Sequence, residues 1–137
     1  MNIRFMAGLA LAALIPVLAY AAAAQKPVLD AYAVAAKAEN TGFSGFSAER
    51  GKVFFLAKHD ASSETPSCTT CHTVDPTKAG QTRAGKDIAP MAVSKTPDRY
   101  TDAEKTEKWF LRNCQSVLGR ACTAQEKGDF ITFMASL

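Results

Sequence analysis

Apolar side chains recur along this 137-residue chain in helical order rather than in alternation. The clearest stripe comes last: Phe130, Phe133, Met134 and Leu137 stand at i, i+3, i+4 and i+7, one face of a helix. Thr123-Ala124-Gln125-Glu126 precedes it as a capping box, in which a hydroxyl and a carboxylate satisfy each other's free backbone amides. Thr101-Asp102-Ala103-Glu104 has the same form and opens another helix. There Thr106, Trp109, Phe110 and Asn113 repeat the helical spacing, which sets Asn113 on the same inward face as two aromatics. Nearer the start, residues 28–38 are rich in alanine, with Leu29, Tyr32, Ala33 and Ala36 on one face. The loop Thr41-Gly42-Phe43-Ser44-Gly45-Phe46 ends that helix, and Ser47 caps a short one with Val53 and Phe54 apolar and Gly51 and Phe55 a turn apart. No alternating strand of useful length and no internal repeat appears, so the expected fold class is all-α.

Two segments fall outside this pattern. Residues 60–101 carry Pro66, Pro76, Pro90 and Pro97 with little periodicity, an unusual stretch inside a compact domain unless something other than polypeptide organises it. Residues 1–4 are a short basic start, and residues 5–18 form an apolar run before Ala22-Ala23-Ala24 and Gln25. About 14 apolar residues are too few for a membrane span, which needs roughly 20. The reading is a secretory leader over residues 1–24 and one domain over residues 25–137, exported to the periplasm without membrane insertion.

Composition narrows the classes. Hydrophobic residues make up 47% and charged residues 21%, which excludes disorder and collagen-like repeats. A net charge of +3, with no dense Lys/Arg run, gives no pull toward nucleic acid. Export makes oxidised cysteines permissible, and the four cysteines fall in two pairs, Cys68/Cys71 and Cys114/Cys122.

The first pair lies in Cys68-Thr69-Thr70-Cys71-His72, a C-x-x-C-H motif. Its logic is covalent: two thiols add to the two haem vinyl groups, and the adjacent imidazole reaches the iron from the same turn. A thioredoxin-like C-x-x-C needs a βαβ setting that is absent here. A zinc site could recruit Cys114 and Cys122, but their separation is not the usual short ligand spacing. A disulfide between Cys68 and Cys71 would close a very tight loop. One covalent haem c is therefore expected, filling the core that the loops lack. His72 becomes the proximal ligand, its second ring nitrogen donating to a backbone carbonyl, with Ile88-Ala89-Pro90 as the candidate provider.

The sixth position has several candidates. Met91 lies in a loop after the motif, and Met134 sits on the last helix; both read as packing residues first. His59 is the only other histidine. By spacing alone, Asn113 reads as a residue near a helix C-terminus, where Asn is common.

Several motifs together carry a family resemblance. Ser67-Cys-Thr-Thr-Cys-His72, Ala79-Gly-Gln-Thr-Arg83, Ile88-Ala-Pro90, Thr96-Pro-Asp-Arg99, Glu107-Lys-Trp109, Arg112-Asn-Cys114 and Gly119-Arg-Ala-Cys122 closely resemble the sphaeroides haem protein family of oxygen-binding cytochromes c. The resemblance runs from about residue 48 to the end. It implies a class I cytochrome c-like fold with long loops around one covalent haem. It further implies that Asn113 ligates ferric iron and lets go on reduction, where the related cytochrome c double-prime has a histidine. Met91 departs from the leucine expected at that place. Trp109 and Phe110 would then line the haem pocket, and O2, NO or CO would be the small ligand. The family implies a dihaem cytochrome c and a membrane b-type cytochrome as electron donors. Cys114 and Cys122 are expected to form a disulfide, since haem consumes the first pair and the compartment is oxidising. Lys78, Arg83, Lys86, Lys95 and Arg99 could ring the haem edge and steer an acidic partner. A simple electron carrier with Met91 ligated is the alternative; a peroxidase-like enzyme lacks a distal His/Arg pair.

Overall fold

The computed structural model describes residues 17–59 and 61–137. Residues 1–16, which hold the basic start and most of the apolar run of the expected leader, lie outside the described residues. The described residues form five helices, α1 (Val17–Glu39), α2 (Ala48–Leu56), α3 (Thr69–His72), α4 (Ala103–Leu118) and α5 (Ala124–Ala135), with one small hairpin, β1 (Gly80–Gln81) and β2 (Asp87–Ile88), between α3 and α4. The strands pair antiparallel, Gly80 with Ile88 and Gln81 with Asp87. No helix among the described residues is long and apolar enough to cross a membrane.

α5 is the centre of the core. Ile131 and Met134 are fully buried, and Phe55 of α2 packs between Phe130 and Phe133 with ring centroids at 6.0 and 6.1 Å. α2 lies directly on α5 because position 51 is glycine: a Cβ there would stand 2.0 Å from the Asp129 carbonyl oxygen. The capping box of α5 forms in both halves, Thr123 accepting from the Glu126 amide and Glu126 from the Thr123 amide. Buried Asp129 accepts from the Ser47 amide and from two guanidinium nitrogens of Arg50, which fixes the entry to α2.

Three local expectations shift. α1 begins well upstream of residue 28, because the alanine run propagates helix through Pro27, and the expected cleavage point between Ala24 and Gln25 lies inside it. α4 is capped by Asp102, whose carboxylate accepts from the Lys105 amide, while the Thr101 hydroxyl donates to the Asp98 carbonyl instead. Val53 faces solvent at 62% exposure, so α2 buries Gly51 and Phe55 rather than the whole Val53–Phe55 run.

Candidate haem-binding site

The C-x-x-C-H motif folds into the single turn of α3. Ser67 starts it, its hydroxyl oxygen accepting from the Thr69 amide and its carbonyl from the Thr70 amide. The Cys68 carbonyl accepts from the His72 amide at 3.1 Å, and Thr73, at φ 60°, ends the turn. β1 presses against the back of it. A Cβ at Gly80 would stand 2.1 Å from the Cys71 carbonyl oxygen, so only glycine permits the contact.

Cys68 and Cys71 are both free thiols, and burial pushes Cys68 up to about 11. Burial first, and the Arg99 cation second, lower His72 to about 4, so its imidazole is neutral at ordinary pH with a lone pair to offer. His72 Nδ1 is buried without a hydrogen-bond partner. The expected donation to the Ile88–Pro90 loop is thus not made. Those carbonyls serve Arg99 instead: Nε donates to Pro90 O and Nη2 to Ala89 O, each at 2.7 Å, and the Thr96 hydroxyl adds a bond to Pro90 O.

These features fit a covalent haem. Two free thiols flank one turn, and the imidazole that follows them is unprotonated, with a lone pair to offer. A four-thiol zinc site is excluded, because Cys114 and Cys122 are bonded to each other. Among the described residues no group of three or more His, Cys, Asp or Glu side chains could hold a metal ion.

The candidates for the opposite side separate clearly. Met134 is fully buried in α5. Met91 is 7% exposed, its amide donating to Pro76 O and its carbonyl accepting from Tyr100 Oη. His59 donates its amide to Pro66 O and lays its ring against Phe54, with Nε2 buried and unpartnered. Asn113 is exposed and sits well inside α4, which runs on to Leu118 before Gly119 caps it, so it is not a helix C-terminal residue. The buried seam of α4 is Thr106, Phe110, Cys114 and Val117. Phe110 joins an aromatic cluster with Tyr32 and Phe130, at 6.1 and 5.4 Å, while Trp109 is 48% exposed with Arg112 stacked over it. Trp109 and Asn113 thus share a solvent flank that Phe110 supports from the core side.

Periodicity gave no sign of the clamps behind the turn. Gln25 is fully buried and donates its side-chain amide to Pro97 O and Arg99 O, at 3.0 and 2.8 Å, holding the segment from which Arg99 reaches the loop. Of the expected basic ring, Lys78, Arg83, Lys86 and Lys95 are exposed, but Arg83 pairs with Glu64 and Arg99 is turned to the loop carbonyls.

A family model described as a domain of unknown function (DUF1924) matches residues 41–134. Cytochrome c-type protein SHP of Cereibacter sphaeroides is 56% identical over 90 residues, 65% of this chain and 70% of that protein. The chain belongs to the SHP family of c-type cytochromes. Its cofactor is accordingly covalent haem c. The structure of oxidised SHP, described as an oxygen-binding cytochrome c, superposes with a TM-score of 0.75 at 46% identity, covering 82% of this chain and 96% of that one. The helical fold is that of SHP and its relatives. Cytochrome c'' of Methylophilus methylotrophus is a further relative, 34% identical over 105 residues, 75% of this chain and 73% of that protein.

Proposed function

We propose that this member of the SHP family is a periplasmic monohaem protein in which Asn113 is a weak sixth ligand to ferric iron. Asn113 leaves on reduction and frees a position for O2 or NO, with electron transfer as the trigger. The observation that carries this reading is the fate of the rival ligand. Met91 is fastened in the core through its amide, its carbonyl and its buried side chain, whereas Asn113 stands on an exposed flank beside Trp109. Kinship adds to it, since the structure of oxidised SHP is that of an oxygen-binding cytochrome c.

Each part follows from the chain's own groups. Cys68 and Cys71 would hold the haem by thioether bonds, and His72, on the same turn, would be the proximal ligand. When bound, the haem supplies one-electron chemistry and an iron able to take a diatomic ligand. Burial keeps His72 neutral, so it would offer the iron a lone pair. Asn113 offers a neutral amide oxygen, which gains most from the harder, more positive ferric centre and least from the ferrous one. Trp109 would flank the ligand side, backed by Phe110 from the aromatic cluster. The leader over residues 1–24 directs export, and a dihaem cytochrome c and a membrane b-type cytochrome are the electron donors that the family implies.

Optical spectra of the ferric, ferrous and ferrous-CO forms test the whole reading. Six-coordinate ferric, five-coordinate ferrous and ready CO binding are expected. A ferrous form that stays six-coordinate and ignores CO would leave a simple His/Met electron carrier.

A further inference from the structure

Thr65 stands three residues before Cys68 and donates its hydroxyl to the Ser116 carbonyl of α4 at 3.0 Å, across 51 positions of sequence. Ser116 lies in the last turn of its helix, where carbonyls have no intrahelical amide to accept from. The Gly119 amide bonds the Gln115 carbonyl, and Thr65 serves the next one along. Thr65 is itself held firmly. Its amide donates to Ser62 Oγ at 3.1 Å, and the two hydroxyl oxygens are 3.1 Å apart. Beyond it the chain passes through Pro66, whose carbonyl accepts from the His59 amide at 2.7 Å, into Ser67, the residue that starts α3. Residues 61 and 119 also lie close together, since a Cβ on Gly119 would stand 3.2 Å from the Ala61 Cβ.

Among the described residues, no other hydrogen bond joins residues 57–100 to α4. The remaining fastenings of α4 run elsewhere, Glu107 to Tyr32 and Lys127, and Cys114 to Cys122. Asn113 and Ser116 are three residues apart and neighbours on the helix surface, so a restraint at one acts on the other.

We propose that Thr65 is a positioning residue for the sixth-ligand side of the site: its hydroxyl sets how far α4 stands from the C-x-x-C-H turn. It thereby sets how firmly Asn113 closes the ferric iron and how readily it parts on reduction. This rests on the Asn113 reading, and the test separates the two.

Azide is titrated into the ferric holoprotein for the wild type, Thr65→Val, Thr65→Ser and Asn113→Ala, with the midpoint potential measured for each. Losing one hydrogen bond corresponds to about a two- to tenfold change, so Thr65→Val should bind azide tighter by that factor. Its potential should rise, because the ferric state loses ligation. Thr65→Ser, which keeps the hydroxyl, should restore both values. Asn113→Ala should bind azide tighter than any of them. If Thr65→Val keeps wild-type affinity and potential while Asn113→Ala does not, the Thr65 role is overturned and Asn113 stands. If serine is as perturbed as valine, the hydroxyl is not the cause and the role is likewise overturned. If Asn113→Ala is itself silent, both ideas fall. Should the valine variant not fold, Thr65→Ala carries the same comparison.

Discussion

Tyr100 Oη donates to the Met91 carbonyl at 3.1 Å and lies 4.0 Å from the Met91 sulfur. One phenol, on a residue held at φ 62°, thus fixes the backbone of the methionine that could compete for iron and lies beside its thioether. Met91→Leu should change the ferric and ferrous spectra little, and as a volume-conserving swap it should cost less than about 1.5 kcal/mol. Tyr100→Phe strips a buried carbonyl of its donor and should cost about 1–3 kcal/mol in chemical denaturation. Loss of the sixth ligand in Met91→Leu would refute the Asn113 assignment.

Asn113→Ala should leave the fold intact and open ferric iron to water or azide. Asn113→His should bond more strongly and slow ligand entry, which stopped-flow mixing with CO will read. The wild-type midpoint potential should lie below that of His/Met cytochromes, because a thioether favours ferrous iron and an amide on the ferric state does the reverse.

Attachment through Cys68 and Cys71 predicts one haem that survives denaturation, visible as added mass. Extraction of the haem into acidified organic solvent would contradict it.

Cys114 and Cys122 form a disulfide eight residues apart. Replacing both by serine should lower stability by about 2–3 kcal/mol in the chain-entropy model. The effect should also reach the site, because Cys114 adjoins Asn113: ferric azide binding should tighten in the double variant.

Acid should loosen the junction of α1, α4 and α5. Partial burial raises the Glu107 pKa, but hydrogen bonds from Lys127 and Tyr32, with the Lys127 charge, outweigh it and hold the carboxyl below its ordinary 4.5. A depressed carboxylate stabilises the fold above its unfolded value and loses that contribution as pH falls through the folded one. Melting temperature should therefore drop as pH is taken below about 4.5, and Glu107→Gln should flatten that slope. An unchanged slope in the variant would remove Glu107 from the account.

What was legible in the sequence was what local spacing encodes. The capping box of α5 appears as read, with Phe130, Phe133 and Met134 of its stripe buried and Leu137 past the helix end, and so does the Ser47 cap of α2. α4 was placed correctly, but its cap moved by one residue, since Thr101 and Asp102 are both good caps and Thr101 is occupied with Asp98. The helical face was also rotated: Phe110 points to the core, while Trp109 and Asn113 flank it, because the seam is fixed by Cys114 and Val117 as much as by the aromatics. Spacing puts Asn113 on the inward face of α4, whereas the fold exposes it, and its role as a ligand is implied by resemblance alone. Gln25 and Tyr100 bind backbone carbonyls, which carry no trace in residue type, so no pattern marks them, and Arg99 is marked only by its motif and charge, not by the loop carbonyls it holds.

Several polar fastenings of this fold join residues far apart along the chain. Gln25 reaches Arg99 over 74 positions, Ser47 reaches Asp129 over 82, and the Ala124 amide reaches Glu39 over 85. Each closes a long loop before any bond is gained, so the entropy is spent early and the return comes late. For a chain of mostly helical content, folding should consequently be slow. Its rate should depend on the first and last helices meeting, and the belt that carries the haem-binding turn should be the last part to settle.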